Sequence, residues 1–170
     1  MSQFEKLYKD YWQDVFKFLF QLTGYQQQLA EELTQETFYQ AMISFYRYRG
    51  ECQIKTWLCQ IGKNLYFNSL RRLNKVRQVS FEEHADHATL ISDSINIDYE
   101  KKELIDSAIK VIMQLDNKTR DVLVYRIFSE LTYAQISALM NISDSSAKVI
   151  FMRGKSKLQN KLREEYGYEI

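Results

Sequence analysis

The sequence predicts an all-α chain: two small helical domains joined by a flexible linker, the C-terminal one containing a helix-turn-helix. Three observations carry that expectation. Proline is absent and glycine occurs five times in 170 residues, so little interrupts a helix. Apolar side chains recur at steps of three and four through most of the chain. That period lapses once, from about Asn74 to Ile97, where Val76, Val79, Phe81, Leu90, Ile91 and Ile95 are scattered among Ser, Asp, Glu and His. The expected boundaries are 1–75 for the first domain, 76–98 for the linker and 99–170 for the second domain.

In chain order, Phe4, Leu7, Tyr8, Tyr11, Val15, Phe18, Leu19 and Leu22 form one amphipathic stripe that ends near Gly24. Leu29, Ala30, Leu33, Thr37, Phe38, Ala41 and Phe45 continue it in a second helix, whose other face carries Glu31, Glu32, Gln35, Glu36 and Gln40. A loop with interleaved rings and arginines, Tyr46-Arg47-Tyr48-Arg49-Gly50-Glu51, precedes a third helix starting near Gln53. Ile54, Trp57, Leu58, Ile61 and Leu65 line its apolar face. Lys55, Lys63, Asn64, Tyr66, Phe67, Asn68, Arg71 and Arg72 are left for another. Cations and flat rings together suit unpaired DNA, where stacking tolerates many sequences and phosphates supply affinity. Taken singly, each of the rings Tyr46, Tyr48, Tyr66 and Phe67 is better expected in a core.

After the lapse the period returns through Leu104, Ala108, Val111, Ile112 and Leu115. Asp116 or Asn117 is placed to cap the next helix, which includes Val122, Leu123, Tyr125, Ile127 and Phe128. Then comes a short helix that Thr132 caps and Gln135 closes into a capping box. Asn141 tolerates the left-handed conformation that ends a helix, and Ser143 caps the following one. In that last helix Ala147, Phe151, Gly154 and Leu158 share a face, while Lys148, Arg153, Lys155, Ser156 and Lys157 fall largely off it. A short helix, a corner and a longer basic helix form a helix-turn-helix that would lay its second helix in a major groove. A helical hairpin with a solvated charged face is the plainer alternative. The tail from Leu162 to Ile170 is expected to fray.

Net charge is +1, but its distribution is uneven. Arg47 to Arg77 holds eight basic residues against Glu51; Glu82 to Asp106 holds eight acids against Lys101 and Lys102; Asp144 to Arg163 holds six basic residues against Asp144. Two basic blocks flanking an acidic one suggest two nucleic-acid contacts joined by a segment that avoids DNA. No signal peptide is evident, and no apolar run approaches bilayer length, so no membrane insertion is expected. Cys52 and Cys59 lack a second pair, which points to a reducing cytoplasm rather than a disulfide framework. His84 and His87 have no accompanying ligand cluster, so no metal or other cofactor is expected. Nor is there a nucleophile–base pair or a phosphate-cradling glycine loop; the chain does not read as an enzyme.

Together these features resemble the extracytoplasmic-function (ECF) subfamily of sigma-70 family RNA polymerase sigma factors, from Phe4 to Arg163. Ala30-Glu31-Glu32-Leu33-Thr34-Gln35-Glu36-Thr37-Phe38 resembles the family's polymerase-binding motif, with Glu32 in place of its Asp. Trp57-Leu58-Cys59-Gln60-Ile61-Gly62-Lys63-Asn64, with Asn68 and Arg71-Arg72, is similar to the segment that melts and reads the −10 element. Asn68 replaces the usual Asp there. The resemblance implies core-polymerase contact by Glu32, Leu33, Gln35, Glu36 and Phe38, with the two apolar residues, Leu33 and Phe38, open to a core role instead. For −10 DNA it implies Arg47, Arg49, Lys55, Trp57, Lys63, Asn64, Asn68, Arg71 and Arg72. For −35 DNA it implies Ser143, Asp144, Ser145, Ser146, Lys148, Arg153 and Lys155. Val149, Ile150 and Met152 stand where polar or basic residues are common, so Lys148, Arg153 and Lys155 are expected on phosphates.

The implied partners are core RNA polymerase (the clamp helices and flap of its large subunit), promoter DNA and an anti-sigma factor. A stand-alone helix-turn-helix regulator, binding duplex as a dimer without polymerase, is the rival expectation; a protein–protein adaptor with no salt-dependent DNA binding is a third.

Overall fold

The computed structural model describes residues 1–79 and 98–169. Among them are seven α-helices and one 3-10 turn: α1 (Gln3–Leu22), α2 (Gln27–Ser44), the turn Phe45–Arg47, α3 (Ile54–Val79), α4 (Tyr99–Met113), α5 (Asn117–Ile127), α6 (Tyr133–Met140) and α7 (Asp144–Tyr166). The all-helical expectation holds. His84 and His87, and most of the segment expected as a linker, lie outside the described residues.

In the first module α1, α2 and α3 pack on one another around Val15, Leu19, Leu22, Ala30, Phe38 and Leu58. Gly62 is what lets α3 come so near: a Cβ there would stand 3.0 Å from the Thr37 hydroxyl oxygen and 3.2 Å from both Leu19 methyls. A stacked ladder, Trp12, Phe16 and Phe20 with centroids 5.1 and 5.6 Å apart, runs along α1 beside the stripe read from sequence. Two departures concern helix length. α3 continues to Val79, past the boundary expected at 75. Every residue from Arg71 to Val79 is exposed, so no apolar stripe marks the extension. The tail does not fray at Leu162: α7 runs to Tyr166, Leu162 is 2% exposed, and Gly167 closes the helix in the left-handed conformation at φ 72°.

The second module seats the helix-turn-helix on α5. Val122, Tyr125, Leu131, Ile136 and Ala147 form its buried centre, and the Tyr133 and Phe151 rings meet at 6.0 Å. Glu130, at φ 53°, turns the chain between α5 and α6, and the Arg126 guanidinium donates to the Leu131 carbonyl at 2.9 Å. The modules touch in two places. Lys101 reaches over the Tyr25 ring at 5.8 Å, beside Gly24, where a Cβ would collide with the Asp106 carboxylate. α3 lies against α5, with Arg120 over the Phe67 ring at 5.3 Å. One buried cluster therefore continues from α1–α3 into α4, α5 and α7.

Candidate nucleic-acid interface

The helix-turn-helix corner is built by side-chain caps. The Gln135 backbone N–H donates to the Thr132 hydroxyl at 3.2 Å, and the Thr132 N–H donates to the Gln135 side-chain oxygen at 2.9 Å. Asn141 ends α6 at φ 53° and ψ 50°, and the Ser143 hydroxyl accepts from the Ser146 N–H at 3.1 Å to start α7. Ser143 is thus a structural cap, and Asp144 is bonded to the Ser137 hydroxyl. Ser145, Ser146, Lys148, Arg153 and Lys155 are exposed, and the three cations form no ion pair among the described residues. Unpaired cations on an exposed helix face leave their charge available to phosphates.

The −10 set divides differently. Arg47, Arg49, Asn64, Asn68, Arg71 and Arg72 are exposed. Helical spacing puts Trp57, Asn64, Asn68 and Arg71 along one face of α3. Asn68 accepts from the Arg71 guanidinium at 2.9 Å, a neutral partner where a carboxylate is usual. The Tyr46 ring is 76% exposed, and Arg47 lies over it at 5.4 Å. Phe45, Tyr48 and Trp57 form a cluster with centroids 5.2 to 6.1 Å apart, and the Tyr48 hydroxyl donates to the Cys52 carbonyl at 2.7 Å, folding the loop onto α3. Half-buried Trp57 thus positions the loop.

One expectation needs correction for this arrangement, that Lys63 faces DNA. Lys55 is exposed and pairs at the surface with Asp14 at 3.3 Å. Tyr66 and Phe67, at 5% and 2% exposure, are core rings rather than stacking platforms. Lys63 is 2% exposed, bonded to Asp121 of α5 at 2.8 Å and 4.6 Å from the Tyr125 ring centroid, so it does not face solvent at all. Burial pushes its ammonium below the ordinary lysine value, with Asp121 pulling the other way. A partner 58 residues away left no local signal in the sequence. Burial likewise holds the Cys59 thiol up at about 12, so it is not a reactive thiolate.

On α2, Glu32, Gln35 and Glu36 are exposed, whereas Leu33 and Phe38 are buried at 8% and 2%. Phe38 meets the Tyr8 ring edge-on at 4.8 Å, so it secures α2 to α1. Glutamine side chains donate to the acids one turn away: Gln28 to Glu32 at 3.4 Å and Gln40 to Glu36 at 2.8 Å. Neither acid forms an ion pair among the described residues, so the face keeps its negative charge. Sequence reading missed Tyr39 and Ile43, 54% and 51% exposed, which continue the Glu32–Glu36 stripe. The available signal was the apolar run from Phe38 to Tyr46, too dense for one buried face.

The fold thus presents an acidic face with exposed apolar residues on α2, a loop of rings and cations, and a helix-turn-helix whose second helix is flanked by cations. The models of sigma-70 region 2 and of sigma-70, region 4 match residues 7–76 and 105–158. The chain belongs to the sigma-70 family of RNA polymerase sigma factors, in its ECF branch. It directs promoter-specific transcription initiation and is not an enzyme. It is 27% identical over 155 residues to the ECF RNA polymerase sigma factor SigM of Bacillus subtilis (strain 168), covering 91% of this chain and 92% of that protein. To the RNA polymerase sigma factor YlaC of the same organism it is 26% identical over 164 residues, covering 95% and 94%. Its fold is similar to that of the sigma factor RpoE in a co-crystal structure with the anti-sigma factor NepR from Bartonella quintana, with a TM-score of 0.59, 18% identity and coverage of 97% and 99%.

Proposed function

We propose that this sigma factor divides its work between its modules. The outer face of α2 docks on the clamp helices of the polymerase's large subunit. Glu32, Gln35 and Glu36 steer and orient that contact, and Tyr39 and Ile43 give it an apolar centre. The 45–53 loop and the Asn64–Asn68–Arg71 face of α3, with Arg72, hold the melted −10 strand. Arg47 and Arg49 meet phosphates, and Tyr46 offers a stacking surface. α7 enters the −35 major groove with Lys148, Arg153 and Lys155 on the backbones, and the second module meets the polymerase flap. The bond-making chemistry belongs to the polymerase, in the cytoplasm. An anti-sigma factor fits as a partner that covers these same exposed faces.

The observation that carries this reading is the contrast in charge between exposed faces that form no ion pair among the described residues: Glu32 and Glu36 on α2, Lys148, Arg153 and Lys155 on α7, and Arg47 and Arg49 on the 45–53 loop. Run-off transcription from a genomic promoter library with purified core tests it. Added chain is expected to produce discrete transcripts, and Glu36→Lys to lose them through weaker core binding at unchanged helical content. Transcripts undiminished by Glu36→Lys and by loss of the α7 cations would sink the assignment of these faces.

A further inference from the structure

The outer face of α7 has an apolar centre. Ala147, Gly154, Leu158 and Leu162 face inward and are buried. On the opposite side Val149 and Met152, three residues apart, are 45% and 51% exposed, and neither belongs to a buried cluster. Helical spacing puts Lys148 and Lys155 on one flank of this pair and Arg153 and Lys157 on the other. Isolated surface apolar residues need no explanation. A Val–Met pair on the midline of an exposed helix, between two rows of cations, is a different matter.

The hydroxyls along the same midline are already engaged by the helix. Ser156 donates to the Met152 carbonyl at 3.1 Å, and the Ser145 and Ser143 hydroxyls are bonded to each other at 3.2 Å. The midline is therefore poor in free donors. A helix lying in a major groove turns its flanks to the two phosphate backbones and its midline to the base edges. Of the groups on those edges, the thymine C5-methyl is the one that an apolar side chain recognises; guanine, adenine and cytosine present donors and acceptors that Val and Met cannot answer.

We infer that Val149 and Met152 read the −35 element through thymine methyl groups, so that specificity there rests on apolar contact between phosphate-bound flanks. The inference depends on α7 being the −35 reader. It accounts for two residues that stand where polar ones are common, and it makes methyl groups rather than hydrogen-bonding edges the discriminating feature under the helix midline.

The test uses holoenzyme reconstituted from the full chain and purified core. Its preferred −35 element is first found by selection and footprinting. Each thymine of that element, on either strand, is then replaced singly by deoxyuracil, which pairs identically and lacks only the methyl. At one or two positions the substitution should weaken binding roughly three- to fivefold, the effect of losing one buried methyl. Val149→Ala or Met152→Ala should erase the penalty at its own thymine while leaving helical content and core binding unchanged. A protected −35 element indifferent to every deoxyuracil, one without an A·T pair beneath α7, or a penalty that survives both substitutions would overturn the inference and leave α7 as the reader. No −35 protection in a holoenzyme whose core is bound would overturn both.

Discussion

The two surfaces proposed to meet DNA stand in unequal states. On α7, Lys148, Arg153 and Lys155 form no ion pair among the described residues and the outer face is exposed, so the duplex contact proposed for it displaces no intramolecular partner of these cations. On α3 the loop end is open, but Lys63 is held by Asp121 and Phe67 is covered by Arg120, both from α5. The lesson is one of order. Reading closed duplex needs no rearrangement, whereas a DNA contact by Lys63 requires α5 to leave α3.

The sharpest way to break the comparison is to remove the platform of one surface alone. Ile136 is fully buried in the helix-turn-helix, so Ile136→Ala should cost about 2–5 kcal/mol in a thermal or urea melt. It should abolish −35 protection while core binding through α2 persists. Next in size is Asp121→Ala, which leaves the Lys63 ammonium buried without its partner. A cost of about 3 kcal/mol is expected for the arrangement in which α3 and α5 touch. The readouts are the distance between labels on α2 and α6, which should lengthen, and Lys63 reactivity towards amine reagents, which should rise. An unchanged distance would mean that the apolar contacts hold the modules together by themselves.

Smaller effects sharpen the α7 side. Lys148→Ala and Arg153→Ala should each weaken holoenzyme binding to all −35 sequences alike and reduce the slope of log K against log salt by about one. Smallest is the α5 cap. Asp116 accepts from the Thr119 N–H at 3.0 Å, and that bond holds its carboxyl below the ordinary value of 3.8. A depressed folded value contributes stability that is present above 3.8 and lost as pH falls through the folded value. Asp116→Ala should cost about 1 kcal/mol near neutrality and flatten this acid limb in pH-dependent melts.

What was legible in the sequence was local. Thr132 and Gln135 announce α6 because a capping box closes within four residues, and Asn141 announces the corner because few residues accept its backbone angles. The far end of α3 was illegible for the opposite reason: an exposed helix has no buried face to impose a period on Arg71 to Val79. Leu162 was misjudged as tail, although Leu158 and Leu162 stand one turn apart and Gly167 follows as a stop. For the site, exposure of Glu32, Glu36, Arg47 and Lys148 followed from pattern. The burial of Lys63 did not, because its partner lies in the other module and only the tertiary fold brings Asp121 to it.

The division of labour is tested most directly by photo-crosslinking within the open complex. A photoreactive residue at Asn64 on α3 and another at Ser156 on α7, in otherwise intact holoenzyme, should label different DNA. The α3 probe should reach the melted −10 strand and the α7 probe the −35 duplex. Both probes labelling one element, or the two labels exchanged, would contradict the account.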